Sequence, residues 1–217
     1  MSTLGRRSAL AHRSALSAAN GAVTVKERPF EGKLILRGSP ERIGAPVASV
    51  LGSRLPAEAH GTSTGARGTA QWLGPDEWLL VTAPGAEAAL ANDLQQALAG
   101  IPAQIADVTD YYTTIELSGS RAREMLMKIT TIDLHPRAFK KGMGVTSNFG
   151  RATPWVRQTG DDAEAGGPAF DIVIRISMAD YMWCLLAESG HEWGLPELEP
   201  KGAKVHLHLP HLEPASS

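Results

Sequence analysis

The sequence predicts an α+β fold built from two related β-α-β-β-α halves that share one core. A strand that runs into Gly-Ser and then a helix occurs twice, as ILRGS at residues 35–39 and ELSGS at residues 116–120, 81 residues apart. A strand bearing a tryptophan follows in each copy, at Trp72 and Trp155. Each copy closes with a strand and an amphipathic helix, so we expect an internal duplication.

The first half follows from turn signals and apolar spacing. Pro46 would break a helix internally, so we expect the helix to begin there and to end at Gly52. Gly and Pro at residues 74–77, flanked by aromatic and aliphatic residues, predict a hairpin. The predicted elements are a strand at 33–37, the helix from Pro46, a loop at 57–68, hairpin strands at 70–73 and 78–81, and a helix at 86–99.

The second half is predicted in the same way. Residues 105–117 favour one strand, and the helix after Gly119 has an apolar face at i, i+3, i+4 and i+7. Its expected outer face is charged: Arg121, Arg123, Glu124 and Lys128. A basic loop at 130–150, strands at 153–158 and 170–177, and a last helix capped by Ser177 with Asp180 three residues on complete this half. We expect Met178, Tyr181, Met182, Leu185 and Ser189 on one face of that helix and Gly190 at its end.

The expected organisation is an extended basic arm at residues 1–27, one duplicated domain at 28–193, and a polar, His-containing tail at 194–217. The domain halves are about 28–100 and 101–193. The first 26 residues contain no Asp or Glu and few large apolar residues, so we expect the arm to lie on a partner. They also lack the apolar region that an export signal requires.

Composition excludes several function classes. The 217 residues carry a net charge of −2, so a basic field for nucleic acid or an anionic membrane is not expected. No apolar run approaches the roughly 18 residues of a membrane helix, which predicts a soluble protein. The single cysteine, Cys184, excludes an intramolecular disulfide and favours a reducing cytoplasm.

Four groups of residues are candidates for a chemical site. Asp107 and Asp110 could act as acid and base, but turn and cap hydrogen bonds suit them better. Cys184 has no neighbour in sequence that would lower its pKa, so we expect a buried, inert thiol. The other two are the basic cluster Arg137, Lys140 and Lys141 beside Phe139, and the tail histidines His206, His208 and His211.

The basic cluster lacks a helix N-terminus or glycine nest, so a solvated face or a partner contact is favoured over an anion site. The histidines could hold zinc, but a closed site needs four ligands. No dinucleotide or phosphate-loop motif is present. We therefore assign no catalytic, cofactor-binding or metal residue to this chain.

Several strings resemble the gamma subunit of heterotetrameric sarcosine oxidase. The most specific is LGPDEWLLV at residues 73–81. LRG at 36–38, DVTD at 107–110, IELSG at 115–119 and IDLHPRAF at 132–139 occur in the family's order and spacing. The resemblance spans roughly residues 28–190. That family is related to the folate-binding domain of glycine-cleavage aminomethyltransferases, which has a duplicated α+β fold.

The resemblance implies a function divided among subunits. It implies an alpha subunit with NAD and a folate-binding region, a beta subunit with FAD and FMN, and a small delta subunit with zinc, with gamma packed mainly against alpha. The implied reaction is oxidative demethylation of sarcosine to glycine, with the one-carbon unit passed to tetrahydrofolate or released as formaldehyde, and with peroxide formed. The resemblance transfers no catalytic residue to gamma.

Two alternatives stay open. One is the equivalent subunit of a sister complex that acts on another N-methyl amino acid, such as N-methylglutamate. The other is a free-standing folate-binding or one-carbon transfer protein. Relatives that modify tRNA or repair iron-sulfur proteins carry a Lys-Gly-Cys motif, whereas this chain has KGMGV at residues 141–145, which counts against a repair role.

We predict that Trp72 and Trp78 of the hairpin cover one edge of the core. Replacing either by Ala should reduce the free energy of unfolding by about 3 to 5 kcal/mol if the indole is buried. Denaturant unfolding measures this loss. A loss below about 1 kcal/mol would show that the indole is exposed and would assign it to a contact surface.

Overall fold

The protein has two antiparallel sheets, each covered by two helices. The computed structural model describes residues 6–18, 21–161 and 166–199. In the first half, β3 (Gly32–Gly38), α1 (Pro40–Leu51), β4 (Thr62–Gly65), β5 (Gly68–Gly74), β6 (Glu77–Thr82), α2 (Glu87–Ala97) and β7 (Ala103–Asp107) follow in order. In the second half come β8 (Tyr112–Ser118), α3 (Ala122–Met127), β9 (Gly144–Thr146), β10 (Trp155–Gly160), β11 (Ala169–Arg175) and α4 (Ile176–Ser189). Two strands precede both: β1 (Leu16–Ser17) and β2 (Thr24–Arg28).

The strand orders of the two sheets show the repeat. The first-half sheet has the order β4-β5-β6-β3-β7, and the second-half sheet has the order β1-β2-β8-β11-β10-β9. The central strands β5-β6-β3 therefore correspond to β10-β11-β8, as the duplication predicts. The next strand is β7 in the first sheet, but in the second it is β2, which precedes the first half in sequence.

The prediction of one shared core is wrong. One apolar cluster joins the first-half sheet to α1 and α2, and a second joins the other sheet to α3 and α4. Strand alternation explains the division. Leu34 and Leu36 of β3 contribute to the first cluster, whereas Lys33 lies on the opposite face, towards the second-half sheet. The facing sides of the two sheets carry the charged residues Lys33, Arg157 and Asp171. They also carry the buried apolar residues Leu79 and Val173, which belong to neither cluster.

Helix α1 begins at Pro40 rather than at Pro46, which lies inside the helix. An internal proline costs about 3 kcal/mol. The helix buries Ile43, Val47 and Leu51, each of which contributes about 1.5 to 3 kcal/mol. Burial therefore outweighs the lost hydrogen bond, and Gly52 in the left-handed region ends the helix as predicted.

Three further elements differ from the sequence interpretation. The expected loop at 57–68 contains β4, whose small polar residues show no apolar alternation. The expected loop at 130–150 contains β9, which pairs with β10. The expected strand at 105–117 is divided into β7 and β8 by a 3₁₀ turn at Thr109–Tyr111. The chain passes there from one sheet to the other, which a local pattern cannot reveal. The hairpin and the helix at 86–99 are confirmed.

The described part of the expected arm packs on the chain itself. Five of its apolar side chains are buried in the second core cluster: Leu10, Leu16, Ala18, Val23 and Val25. Strand β2 pairs with β8 from Thr24 to Arg28. The few apolar residues of this segment suffice because a sheet edge gives its backbone hydrogen-bond partners.

The last helix is not capped as the sequence suggested. It begins at Ile176, and no side chain caps its first turn. Met182 and Ser189 of the expected face are buried, but Met178, Tyr181 and Leu185 are only partly so. The buried set also includes Ala179, Trp183, Cys184, Leu186 and Ala187. Gly190 ends the helix as predicted.

None of the helices in the described part of the chain has the length and apolarity that a membrane span requires.

Arg123 is buried instead of lying on the charged outer face of α3. Its side chain donates to the carbonyl oxygens of Leu134 and, at 3.2 Å, Phe139. The guanidinium also lies 5.4 Å from the ring centroid of Phe170. The long side chain thus connects α3 to the loop that follows it.

We expect Arg123→Ala to reduce the free energy of unfolding by about 2 to 4 kcal/mol, because the backbone carbonyl groups of Leu134 and Phe139 lose their donor. The neighbouring Arg121 is exposed and pairs with Glu124, which makes Arg121→Ala a matched control. The control should change stability by no more than about 0.5 kcal/mol. Chemical denaturation of both variants measures the difference, and equal losses would contradict a bracing role for Arg123.

Candidate functional site

A buried carboxylate organises the polar layer between the sheets. Asp171 of β11 is 2% exposed. Its Oδ2 atom accepts hydrogen bonds from Nη2 of Arg28 at 2.7 Å and from Nη2 of Arg157 at 2.5 Å. Strand register explains the second bond, because Arg157 and Asp171 are directly paired across β10 and β11.

The charge chain continues into the first half. Nε of Arg28 lies 3.2 Å from Oε1 of Glu31, and Nζ of Lys33 donates to the Glu31 backbone oxygen at 3.1 Å. The Lys33 ammonium is also 3.9 Å from the Glu31 carboxylate. Glu116 extends the cluster towards solvent, because it contacts both Arg28 and the half-exposed Lys26. Each buried charge therefore lies beside an opposite charge, as buried ions require.

Burial and charge act in opposite directions on the cations. Burial lowers the pKa of Lys33, and the Glu31 carboxylate only partly offsets this. Burial also disfavours the charge of Arg28, but Asp171 and Glu31 outweigh it and raise the Arg28 pKa. The charged form of Arg28 is thus favoured, whereas burial disfavours the charged form of Lys33.

A small cavity between the sheets meets this cluster. Gln71 and Val81 line it from the first half, and Thr114, Asp171 and Val173 line it from the second. Five buried atoms of its lining residues have no hydrogen-bond partner among the described residues: Nε of Arg28, Oε2 of Glu31, Nε2 of Gln71, Oγ1 of Thr114 and Oδ1 of Asp171. Such polar niches are commonly satisfied by bound water. The donors and acceptors suit hydration of the junction and provide no activated nucleophile.

The two aspartates flagged in the sequence have separate structural partners. Oδ1 of Asp107 accepts the backbone N–H of Thr109 at 2.9 Å and so holds the start of the 3₁₀ turn. Asp110 is exposed and pairs with Arg6. The predicted turn-forming role is confirmed for Asp107, and among the described residues the two carboxylates have different partners.

The basic cluster lies on the loop that Arg123 braces. Arg137, Lys140 and Lys141 are exposed, while Phe139 between them is buried. The backbone N–H of Arg137 donates to Nδ1 of His135 at 3.2 Å. The loop geometry thus presents the cations to solvent, as the solvated-face interpretation expects.

Cys184 is 6% exposed, and burial raises its pKa, in agreement with the expected inert thiol. Nη2 of Arg13 lies 3.3 Å from its sulfur atom. Arg13 and His12 also bind Asp180, with Nε of Arg13 and Nε2 of His12 each 2.7 Å from Oδ1. The sequence pattern does not reveal this contact, because no residue near Asp180 in sequence indicates that it binds a segment 167 residues away.

The tail histidines His206, His208 and His211 lie outside the described residues. Within the residues that the structure does describe, no group of three or more His, Cys, Asp or Glu side chains is placed to hold a metal ion.

The two hairpin tryptophans have different environments. Trp78 is 1% exposed, and its Nε1 donates to the backbone oxygen of Pro56 at 2.9 Å. Trp72 is only partly buried. Both line an apolar groove of about 720 Å³ against α1, within the size range of small-molecule sites. The expected 3 to 5 kcal/mol loss therefore applies to Trp78.

We predict a pH signature for Lys33. Because its native pKa lies below the unfolded value of 10.5, the unfolded chain binds more protons between these two values. The free energy of unfolding should therefore gain a rising contribution with pH in that alkaline window. The contribution should vanish in Lys33→Met and persist in Lys26→Met, which removes an exposed lysine. Urea titrations from pH 7 to 10.5 measure it, and parallel curves for the wild type and Lys33→Met would refute it.

Comparisons with known proteins agree with this architecture. The model of the sarcosine oxidase, gamma subunit family matches residues 39–192. A sarcosine oxidase subunit gamma of Arthrobacter sp. is 35% identical over 156 residues, covering 71% of this chain and 76% of the relative. Its counterpart from Corynebacterium sp. strain U-96 is 36% identical over 169 residues, covering 75% and 82%.

Solved structures give the same result. A chain of the heterotetrameric sarcosine oxidase from Corynebacterium sp. U-96, in complex with pyrrole 2-carboxylate, is similar with a TM-score of 0.78 and 29% identity. The match covers 89% of this chain and 99% of that one. The glycine cleavage system aminomethyltransferase T from Bartonella henselae shares the fold at a TM-score of 0.57 and 15% identity, over 82% of this chain and 47% of its own. With a matching family model over most of its length and relatives above 30% identity, the chain belongs to the sarcosine oxidase gamma subunit family.

Proposed function

We propose that this chain is the gamma subunit of a heterotetrameric sarcosine oxidase and that its role is structural. The observation that carries the proposal is the similarity to a chain of such an enzyme over 99% of that chain's length. The partners would be the alpha, beta and delta subunits, with alpha the main contact.

The assembled complex would oxidise sarcosine to glycine. With oxygen as acceptor and no folate, sarcosine, oxygen and water give glycine, formaldehyde and hydrogen peroxide. With tetrahydrofolate present, the one-carbon unit passes to the folate instead. FAD, FMN, NAD, zinc and tetrahydrofolate would be held by the other subunits and would supply the redox and one-carbon chemistry.

The described residues of this chain do not fit two of these groups. Dinucleotides bind at the ends of parallel strands in βαβ units, whereas both sheets described above are antiparallel in all their pairings. For zinc, the described residues bring no three suitable ligands together. These observations support placing NAD and zinc on partner subunits.

A subunit without a catalytic residue can still set the rate of the complex. Misplacing reacting groups by about 1 Å can cost about a hundredfold in rate. A rigid body with two cores and a buried ion cluster is suited to hold a partner domain in position. Gamma would thus contribute by geometry and assembly.

Two alternatives remain as outcomes of the test. A sister complex would have the same gamma subunit but would act on another N-methyl amino acid, because the amine pocket lies on another subunit. A free-standing one-carbon protein is suggested by a 31% identity with an aminomethyltransferase of Saccharopolyspora erythraea over 57% of this chain. If this chain were such a free-standing protein, it would bind tetrahydrofolate without partners.

We expect this chain, expressed with the candidate alpha, beta and delta subunits, to co-purify with them in a complex that oxidises sarcosine. Gel filtration with flavin absorbance and a peroxide assay provide the measurement. Greater turnover with N-methylglutamate than with sarcosine would indicate the sister complex. A monomer that binds tetrahydrofolate and ignores the flavin subunits would contradict the proposal.

The same complex tests the expectation that gamma has no catalytic residue. Alanine at Asp107, Asp110, Lys140 or His208 should leave sarcosine oxidation within about tenfold of the wild type, a span of about 1.4 kcal/mol in activation free energy. Loss of three orders of magnitude in an intact complex would place a catalytic residue on this chain.

A further inference from the structure

Large apolar side chains are exposed at one end of the second-half sheet. Tyr111 is 50% exposed and Ile176 is 48% exposed. Both adjoin paired positions of the sheet, because Tyr112 begins β8 opposite Arg175, the last residue of β11. Of the exposed large apolar residues in the described chain, only Met127 lies elsewhere, on α3.

These residues form a packed ridge rather than isolated side chains. The Tyr111 and Tyr112 rings meet edge to face at 4.9 Å, and Tyr112 lies 4.8 Å from the ring of Trp155. The Arg175 guanidinium is 5.5 Å from the Tyr111 ring centroid. We call Tyr111, Tyr112, Trp155, Arg175 and Ile176 the aromatic ridge.

The ridge is bordered by two hollows. One, of about 370 Å³, is lined by Tyr112 and Ile176 and reaches Phe30. The other, of about 240 Å³, is lined by Arg175, Ala152 and Met178. A raised aromatic line between two hollows can receive apolar side chains of a partner on both sides.

The charge around the ridge is predominantly positive. Arg6 and Arg7 line the larger hollow with Asp110, which pairs with Arg6, and Glu27 accepts hydrogen bonds from two other residues of its lining. Arg151 and Arg175 line the smaller hollow, so arginine remains in excess. The chain as a whole has a net charge of −2, so this excess is local. An approaching surface must be acidic to match it.

Tyrosine, tryptophan and arginine are the residues that most often dominate interface energies. We propose that the aromatic ridge docks an acidic segment of a partner subunit, whose apolar side chains enter the two hollows. This inference rests on the proposed function as a subunit, and it names the surface that contacts the partner.

The apolar groove beside Trp72 is the competing surface. It is larger, at about 720 Å³, but its charged lining consists of one glutamate, Glu41, and one arginine, Arg54. It therefore has no charge bias that selects a partner. The ridge combines exposed apolar area with such a bias.

The test uses the full chain and the separately prepared remaining subunits of the complex, with affinity measured by titration calorimetry. We expect Tyr111→Ala and Arg175→Glu each to weaken binding at least about thirtyfold, as for interface hot spots. Added salt should weaken wild-type binding more than that of Arg175→Glu, because charge attraction is screened. Both side chains are exposed, so thermal unfolding should shift little and shows that each variant is folded.

Two matched variants separate the possible results. Met127→Ser removes an exposed apolar side chain away from the ridge and should bind normally. Ala48→Arg blocks the competing groove and should also bind normally. Normal binding by both ridge variants, or loss in Ala48→Arg alone, would overturn the ridge and leave the proposed function standing. Failure of the wild-type chain to bind would overturn both.

Discussion

The fold depends on the junction at Lys33, where the chain's two passages between the sheets meet. The first passage runs through Arg28 and Glu31 into β3, and the second through Thr109 into β8. The backbone N–H of Lys33 donates to Thr109 Oγ1 at 3.0 Å, and its backbone oxygen accepts the N–H of Val108 at 2.9 Å. Because the two apolar clusters are separate, this polar junction helps to join the halves. Hydrogen bonds between loops add to it, such as the one from the Gly144 N–H to the His60 backbone oxygen at 2.8 Å.

The position of charge in the molecule separates stability from recognition. The buried carboxylate Asp171 is paired with two arginines of its own chain, so its charge is compensated in the interior. The arginines near Tyr111 and Ile176 face solvent, where their charge can act on another molecule. Interior ion pairs thus help to hold the two sheets together, and the surface arginines are accessible to a partner.

The sequence predicts the repeat, the hairpin and most helices, because these depend on spacing within short windows. Arg123 shows where this ends: its position on α3 is typical of an outer face, and only the folded loop above it explains its burial. The division of residues 105–117 and the contact between Arg13 and Asp180 likewise depend on distant segments. Of the site residues, Asp107 was predictable because its partner is two residues away, whereas Asp171 needed the register of four strands.

The place of β2 has a consequence for how the chain can be made and cut. This strand is synthesised before the first half, yet it completes the sheet of the second half by pairing with β8, from Thr24 opposite Ser118 to Arg28 opposite Thr114. During synthesis it must wait for the whole first half to emerge before its partner exists, so its pairing has a high contact order. A fragment that begins after Arg28 would lack β2 and expose the edge of β8 to other chains.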